Sequence, residues 1–117
     1  CMGSSVSQST EQDMTGTQTR VQAYIRSSCV VMFSKKSCPY CVYAKKLFKE
    51  LDQPVTIVDL LEQPDGKKMQ EFLGNMTGAN TVPRVFINGE CIGGYTDAKK
   101  LHDQGKLREL LKKCNNK

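Results

Sequence analysis

The chain has 117 residues, 38% of them hydrophobic and 25% charged, with 17 basic against 12 acidic side chains and a net charge of +5. Such a length suits one domain around one core, and no apolar stretch approaches the roughly 18–20 residues that a membrane span needs. The modest positive charge favours anionic small molecules or acidic protein surfaces. With aromatics at 7% and no Trp, base-stacking surfaces are poorly supplied, and nucleic acid is not expected as a partner.

Residues 1–19 are rich in Ser, Thr and Gln and poor in large apolar side chains, so a disordered tail is expected there, followed by a domain over 20–117. Glu11 and Asp13, with a single Arg20, make a poor transit peptide, which favours a cytoplasmic protein while leaving a mitochondrial or nuclear pool open. Cys1 stands before Met2-Gly3-Ser4-Ser5-Val6-Ser7, a run that matches the N-myristoylation pattern. Lipidation of Gly3 would be the one route to a membrane; an unmodified tail is the plainer expectation.

From Val21 the pattern turns helical, with Val21, Tyr24, Ile25 and Ser28 on one face. Cys29 to Phe33 is a continuous apolar run, β-branched enough for a strand buried on both faces. A loop of Ser34, Lys35, Lys36 and Ser37 leads to Cys38, and Pro39 suits the first position of a helix whose inner face is Ala44, Leu47, Phe48 and Leu51. Val55 to Asp59 reads as a second strand and Leu60 to Gly66 as a loop. Met69, Phe72, Leu73 and Met76 then mark a third helix, ending near Gly78. Arg84 to Asn88 and Glu90 to Ile92 form a hairpin about Asn88-Gly89. Thr96 is the expected N-cap of the next helix. Gly105 separates it from a last one with Leu107, Leu110, Leu111 and Cys114 inward. The order α-β-α-β-α-β-β-α-α predicts an α/β fold: a right-handed parallel β-α-β unit, extended by a hairpin into a four-stranded mixed sheet with about five helices on its two faces.

Six cysteines occur, at irregular spacing: Cys1, Cys29, Cys38, Cys41, Cys91 and Cys114. Only Cys38 and Cys41 form a Cys-x-x-Cys pair, and it lies where a strand feeds a helix. The first N–H groups of a helix lack intrahelical acceptors, and the helix dipole is positive there. With Lys35 and Lys36 adding charge, Cys38 is expected to be the thiolate nucleophile. Cys41, one turn in and on the side of Ala44 and Phe48, is expected to be the buried resolving thiol. A zinc site would need two further ligands, but the only His is His102 and no second Cys pair exists. The pair therefore reads as redox-active, with no metal expected.

Three segments, in order, carry a resemblance: Ser37-Cys38-Pro39-Tyr40-Cys41, Thr81-Val82-Pro83-Arg84-Val85-Phe86-Ile87 and Gly93-Gly94-Tyr95-Thr96-Asp97. Together they resemble the signatures of the dithiol glutaredoxins, over about residues 20–114. The resemblance implies a thioredoxin-like fold and the use of glutathione. It implies a cis Pro83, with the Val82 backbone after Thr81 free to pair with the cysteinyl unit of glutathione. Lys35 and Gln70 match positions that meet the glycine carboxylate. Gly94, Thr96 and Asp97 match the site for the γ-glutamyl end, and Tyr40 flanks the groove. The positions of Cys29 and Cys114 are similar to those of vertebrate glutaredoxin-2-like members, which commonly carry Ser where Pro39 stands here. These two are candidates for a structural disulfide; two passive buried thiols are the alternative.

The activity so implied is glutathione-dependent thiol–disulfide exchange by a monomer. Protein–glutathione mixed disulfides would be reduced through Cys38 alone, and protein disulfides through Cys38 and Cys41. A thioredoxin is the first competitor, but thioredoxins typically read Trp-Cys-Gly-Pro-Cys, and Trp is absent. The second is a carrier or sensor holding a glutathione-ligated 2Fe–2S cluster between two protomers. Pro39 argues against it, because relatives with small Ser or Gly there bind clusters more readily and a proline ring stiffens the loop.

Overall fold

The computed structural model describes residues 9–115. Four strands, β1 (Val30–Ser34), β2 (Thr56–Asp59), β3 (Arg84–Ile87) and β4 (Glu90–Gly93), form one sheet in the order β2-β1-β3-β4. β1 runs parallel to β2 and antiparallel to β3, and β3 is antiparallel to β4. Helices α1 (Ser9–Ser27), α2 (Pro39–Glu50), α3 (Gly66–Thr77), α4 (Tyr95–Asp103) and α5 (Lys106–Asn115) flank it. The expected element order is present, with a short 3-10 turn at Leu60–Glu62 inside the expected loop.

The central strands are buried on both faces, so their side chains divide by parity. Val30 and Met32 of β1, with Val85 and Ile87 of β3, pack against Ala44, Leu47 and Phe48 of α2, Ala98 of α4, and Leu107 and Leu111 of α5. Val31, Phe33 and Phe86 point the other way, against Val21 and Ile25 of α1 and Met69 and Leu73 of α3. Phe33 and Phe86 meet edge to face at 5.8 Å. This two-sided burial is why the β1 run is apolar without alternation. The β3–β4 turn places Asn88 at φ 53° and Gly89 at φ 87°, the left-handed pair that a two-residue hairpin requires.

Two expectations need correction here. The disordered stretch does not extend to residue 19, since α1 begins at Ser9. Around its middle the helix is held by hydrogen bonds to residues outside it. Buried Thr17 donates through Oγ1 to Asp65 at 3.1 Å, and Arg20 pairs with Asp65 at 2.8 Å and donates to Gln63 at 2.7 Å. Composition cannot show partners that lie at the start of α3. Residues 1–8, with Cys1 and Gly3, are outside the described residues. The second correction is the start of α4: Gly94, not Thr96, is its N-cap, and Thr96 sits within the first turn. Among the described residues, no helix is long and apolar enough to cross a membrane.

Candidate active site

Cys38 is the N-cap residue of α2, with Pro39 at the first helical position. The loop before it closes with a backbone hydrogen bond from the Cys38 N–H to the Lys35 carbonyl at 3.0 Å. The Cys38 sulfur is half-buried and caps none of the helix N–H groups; its thiol donates to the Val82 carbonyl oxygen at 3.5 Å. Cys41, one turn later, is fully buried. Burial pushes its thiol up from 9.0 to about 11. The hydrogen bond and charge of the Cys38 side chain push the same way, and the Lys35 backbone N–H and the Lys45 charge oppose. The two sulfurs thus stand one helical turn apart in unequal surroundings.

Lys36 does not serve the sulfurs as expected. Its ammonium pairs with Glu62 at 2.6 Å, and this hydrogen bond holds its pKa above the ordinary lysine value. Glu62 lies on the 3-10 turn, an element not expected from the sequence.

Beside the Cys38–Val82 contact lies a groove of about 380 Å³. Tyr40, Thr81, Val82, Pro83, Gly94, Thr96 and Asp97 line it, bringing together seven residues from three separate segments. The Val82–Pro83 peptide bond is cis. Asp97 folds back so that its Oδ2 accepts the Gly94 N–H at 3.1 Å, fixing the first turn of α4 against the end of β4. Gly93 takes φ 109°, and a Cβ there would collide with the Asp97 carboxylate, so glycine is required at position 93 by this turn. Gln70 and Lys35 do not line the groove. Gln70 donates from Nε2 to the Asn80 carbonyl at 3.0 Å, next to Thr81, and Lys35 contributes through its backbone.

Two lining residues were not singled out by the sequence reading, Arg84 and Tyr95. Tyr95 stacks on Tyr40 with ring centroids 6.2 Å apart and also meets Tyr43 at 5.7 Å. The Tyr40 and Tyr95 rings form one wall of the groove, although Tyr40 itself is 57% exposed. No local signal joins Tyr40 to Tyr95, because α2 and α4 come together only through the core. Arg84 directly follows Pro83 in the second signature segment, and the sequence assigns it to a strand without a role in the site.

Away from the groove, Cys29 and Cys114 are joined in a disulfide, with Cα atoms 5.6 Å apart, tying the start of β1 to the end of α5. Cys91 is a free, exposed thiol on the edge strand β4. Among the described residues, no three His, Cys, Asp or Glu side chains stand close enough to hold a metal ion.

This architecture and this pair of sulfurs define a dithiol oxidoreductase of the thioredoxin-like class. The chain belongs to the glutaredoxin family: the family model named Glutaredoxin matches residues 30–92. It is 44% identical over 113 residues to the mitochondrial glutaredoxin-2 of Pongo abelii, covering 97% of this chain and 70% of that protein. The crystal structure of the buckwheat glutaredoxin–glutathione complex superposes with a TM-score of 0.87 at 36% identity, covering 90% of this chain and 96% of that one. Wheat glutaredoxin gives a TM-score of 0.81 at 41% identity, over 84% and 95% of the two chains. The protein is accordingly an enzyme, a glutathione-dependent thiol–disulfide oxidoreductase.

Proposed function

We propose that a single domain, running from α1 to α5, reduces protein–glutathione mixed disulfides through Cys38 and protein disulfides through Cys38 and Cys41. The observation that carries this reading is the half-buried Cys38 sulfur at the mouth of a groove whose lining combines the Val82 backbone, the start of α4 and the Asp97 carboxylate. A γ-glutamyl tripeptide presents matching groups: a backbone-like cysteinyl unit, a carboxylate and an ammonium. The buckwheat glutaredoxin, similar in structure, is known in complex with glutathione.

In the first exchange the deprotonated Cys38 sulfur attacks the glutathione sulfur of the mixed disulfide. The protein–glutathione S–S bond breaks, the protein thiolate leaves and takes a proton from solvent, and a Cys38–glutathione disulfide remains. A second glutathione thiolate attacks the bound glutathione sulfur, releasing glutathione disulfide and restoring Cys38. This route consumes one free glutathione, whose sulfur is oxidised to the disulfide level as the protein sulfur is reduced to the thiol. For a protein disulfide, Cys38 first forms a mixed disulfide with the substrate. Cys41 then attacks the Cys38 sulfur, and the substrate leaves as a dithiol. Two glutathione molecules re-reduce the Cys38–Cys41 bond.

Val82 and Thr81 are assigned to the cysteinyl unit, Gly94, Thr96 and Asp97 to the γ-glutamyl end, and Lys35 and Gln70 to the glycine carboxylate, with Tyr40 as a flank. The disulfide between Cys29 and Cys114 is assigned a structural role. Pro39 at the first position of α2 supports this enzyme reading over a 2Fe–2S carrier, since its ring stiffens the turn that carries Cys38. Visible absorption after anaerobic purification would reverse that preference. The protein is taken to act as a monomer, on glutathionylated or disulfide-containing proteins. The vertebrate relatives are named mitochondrial, which supports a mitochondrial location over the cytoplasmic one first expected. A glutathione-coupled assay on a peptide–glutathione mixed disulfide, repeated with each active-site cysteine replaced, tests the function directly.

A further inference from the structure

Arg84 opens β3, lines the groove, and is only 7% exposed. A buried cation is costly unless an anion or a full set of acceptors meets it. Among the described residues its guanidinium makes one hydrogen bond, from Nε to the Pro83 carbonyl oxygen at 3.3 Å, and no carboxylate pairs with it. Asp97, the acid on the same groove, is turned to the Gly94 N–H instead. The terminal nitrogens of Arg84 therefore keep their charge and their donors. One of them lies beside Gly94: a Cβ built on that glycine would sit 3.2 Å from it and 3.2 Å from the Pro83 oxygen. A side chain at position 94 would crowd the guanidinium, and glycine leaves it uncovered.

Gly94 is also the N-cap of α4, a nine-residue helix. The first hydrogen bond of that helix runs from the Ala98 N–H to the Gly94 carbonyl, so the N–H groups of the turn before it lack helical acceptors. The guanidinium of a largely buried arginine, without a carboxylate partner among the described residues, and a helix N-terminus thus converge on one end of one groove. Both favour an anion, and a guanidinium fork matches a carboxylate best.

We propose that Arg84 is a substrate-binding residue: with the first N–H groups of α4, it holds the α-carboxylate of the γ-glutamyl unit, while Asp97 faces the neighbouring ammonium. The assignment rests on the reading of the groove as a glutathione site. It makes Arg84 the residue that distinguishes γ-glutamyl thiols from thiols lacking that carboxylate.

The test uses two peptide mixed disulfides. One carries glutathione; the other carries the analogue in which 4-aminobutyrate replaces γ-glutamate, which keeps the ammonium and lacks only the α-carboxylate. Release of the peptide thiol is followed in a single turnover without free glutathione, for the wild type, Arg84→Gln and Arg84→Lys. Charge-assisted hydrogen bonds of this kind correspond to about tenfold to a hundredfold in binding. Arg84→Gln should lower the second-order rate by about that factor on the glutathione disulfide and leave the analogue nearly unchanged. Arg84→Lys, which keeps the charge but not the fork, should lose less on glutathione and nothing on the analogue. Equal losses on both substrates, or no loss on either, overturn the assignment. If Arg84→Gln does not fold, the same comparison with Arg84→Lys decides, since a loss confined to glutathione is still required. The wild type separates the two readings. If it treats both substrates alike, the glutathione reading of this end of the groove fails. If it prefers glutathione and the variants keep that preference in full, only the assignment of Arg84 fails.

Discussion

The Cys38 thiol donates to the Val82 carbonyl at 3.5 Å, joining residues 44 positions apart in the chain. One is the N-cap of a helix and the other precedes the first strand of the hairpin, so the contact exists only when the sheet is assembled. It sets the sulfur proposed to react against the strand-like backbone that a peptide thiol would pair with.

The proposed division of work between the two cysteines predicts different losses. Cys38→Ser should abolish all turnover. Cys41→Ser should keep most reduction of a peptide–glutathione mixed disulfide and lose most reduction of a protein disulfide. The glutathione-coupled assay on both substrate types checks this. Loss of deglutathionylation in Cys41→Ser, with the fold intact, would remove the proposed division.

Burial gives Cys41 its own pH signature. Its thiol is raised from 9.0 to about 11 in the fold, so the native state binds that proton more tightly than the unfolded chain does. This contribution to stability is fully present below about pH 9 and is lost as pH rises towards about 11. Alkylation of the reduced protein mapped by mass spectrometry should label Cys38 and the exposed Cys91 near neutral pH. Cys41 should follow only as the solution approaches pH 11. Equal labelling of Cys38 and Cys41 at pH 7 would contradict the asymmetry.

Asp97 has one observed role and one proposed role, and the two are separable. As the acceptor for the Gly94 N–H it behaves like a capping-box acid, and Asp97→Ala should cost about 1 kcal/mol of stability. As the proposed partner of the glutathione ammonium, it should raise KM for glutathione several-fold when changed to Asn, with a smaller stability loss and little change in kcat. Thermal unfolding and steady-state kinetics on both variants resolve the two. Gly93→Ala should be worse for the fold than Asp97→Asn, because it combines φ 109° with a collision at the Asp97 carboxylate.

The Cys29–Cys114 disulfide closes a loop spanning 85 residues, which constrains the unfolded chain strongly. Replacing both residues with Ser should cost about 2–5 kcal/mol. Activity per folded molecule at 25 °C should be kept, since neither residue lines the groove. Added reductant should lower the Tm of the wild type and leave the double variant unmoved.

The order of strands and helices was legible because periodicity is local. Val30 to Phe33 reads as a doubly buried strand, and Ala44, Leu47 and Phe48 as one helix face. The extension of α1 before Val21 was not legible from Thr17 and Arg20, because these are held by Asp65 and Gln63 from a distant turn rather than by any periodic apolar face. Lys36 was read as a neighbour of the sulfurs from its position in the chain, yet its charge is taken up by Glu62.

The Cys-x-x-Cys pair at a strand-to-helix junction, with Pro39 after the first sulfur, was determined by the sequence alone, since one helical turn is enough to bring Cys38 and Cys41 together. Tertiary structure decided how unequal the pair is, because the burial that raises the Cys41 thiol comes from packing against the sheet. It also decided what else faces the groove. Tyr95 reaches Tyr40 only because α2 and α4 share one face of the sheet, and Arg84 is largely buried beside Gly94 only because β4 and α4 return to the start of β3. Side-chain chemistry is written residue by residue, but desolvation and the loss of a counter-ion depend on distant neighbours, which exist only in the folded chain.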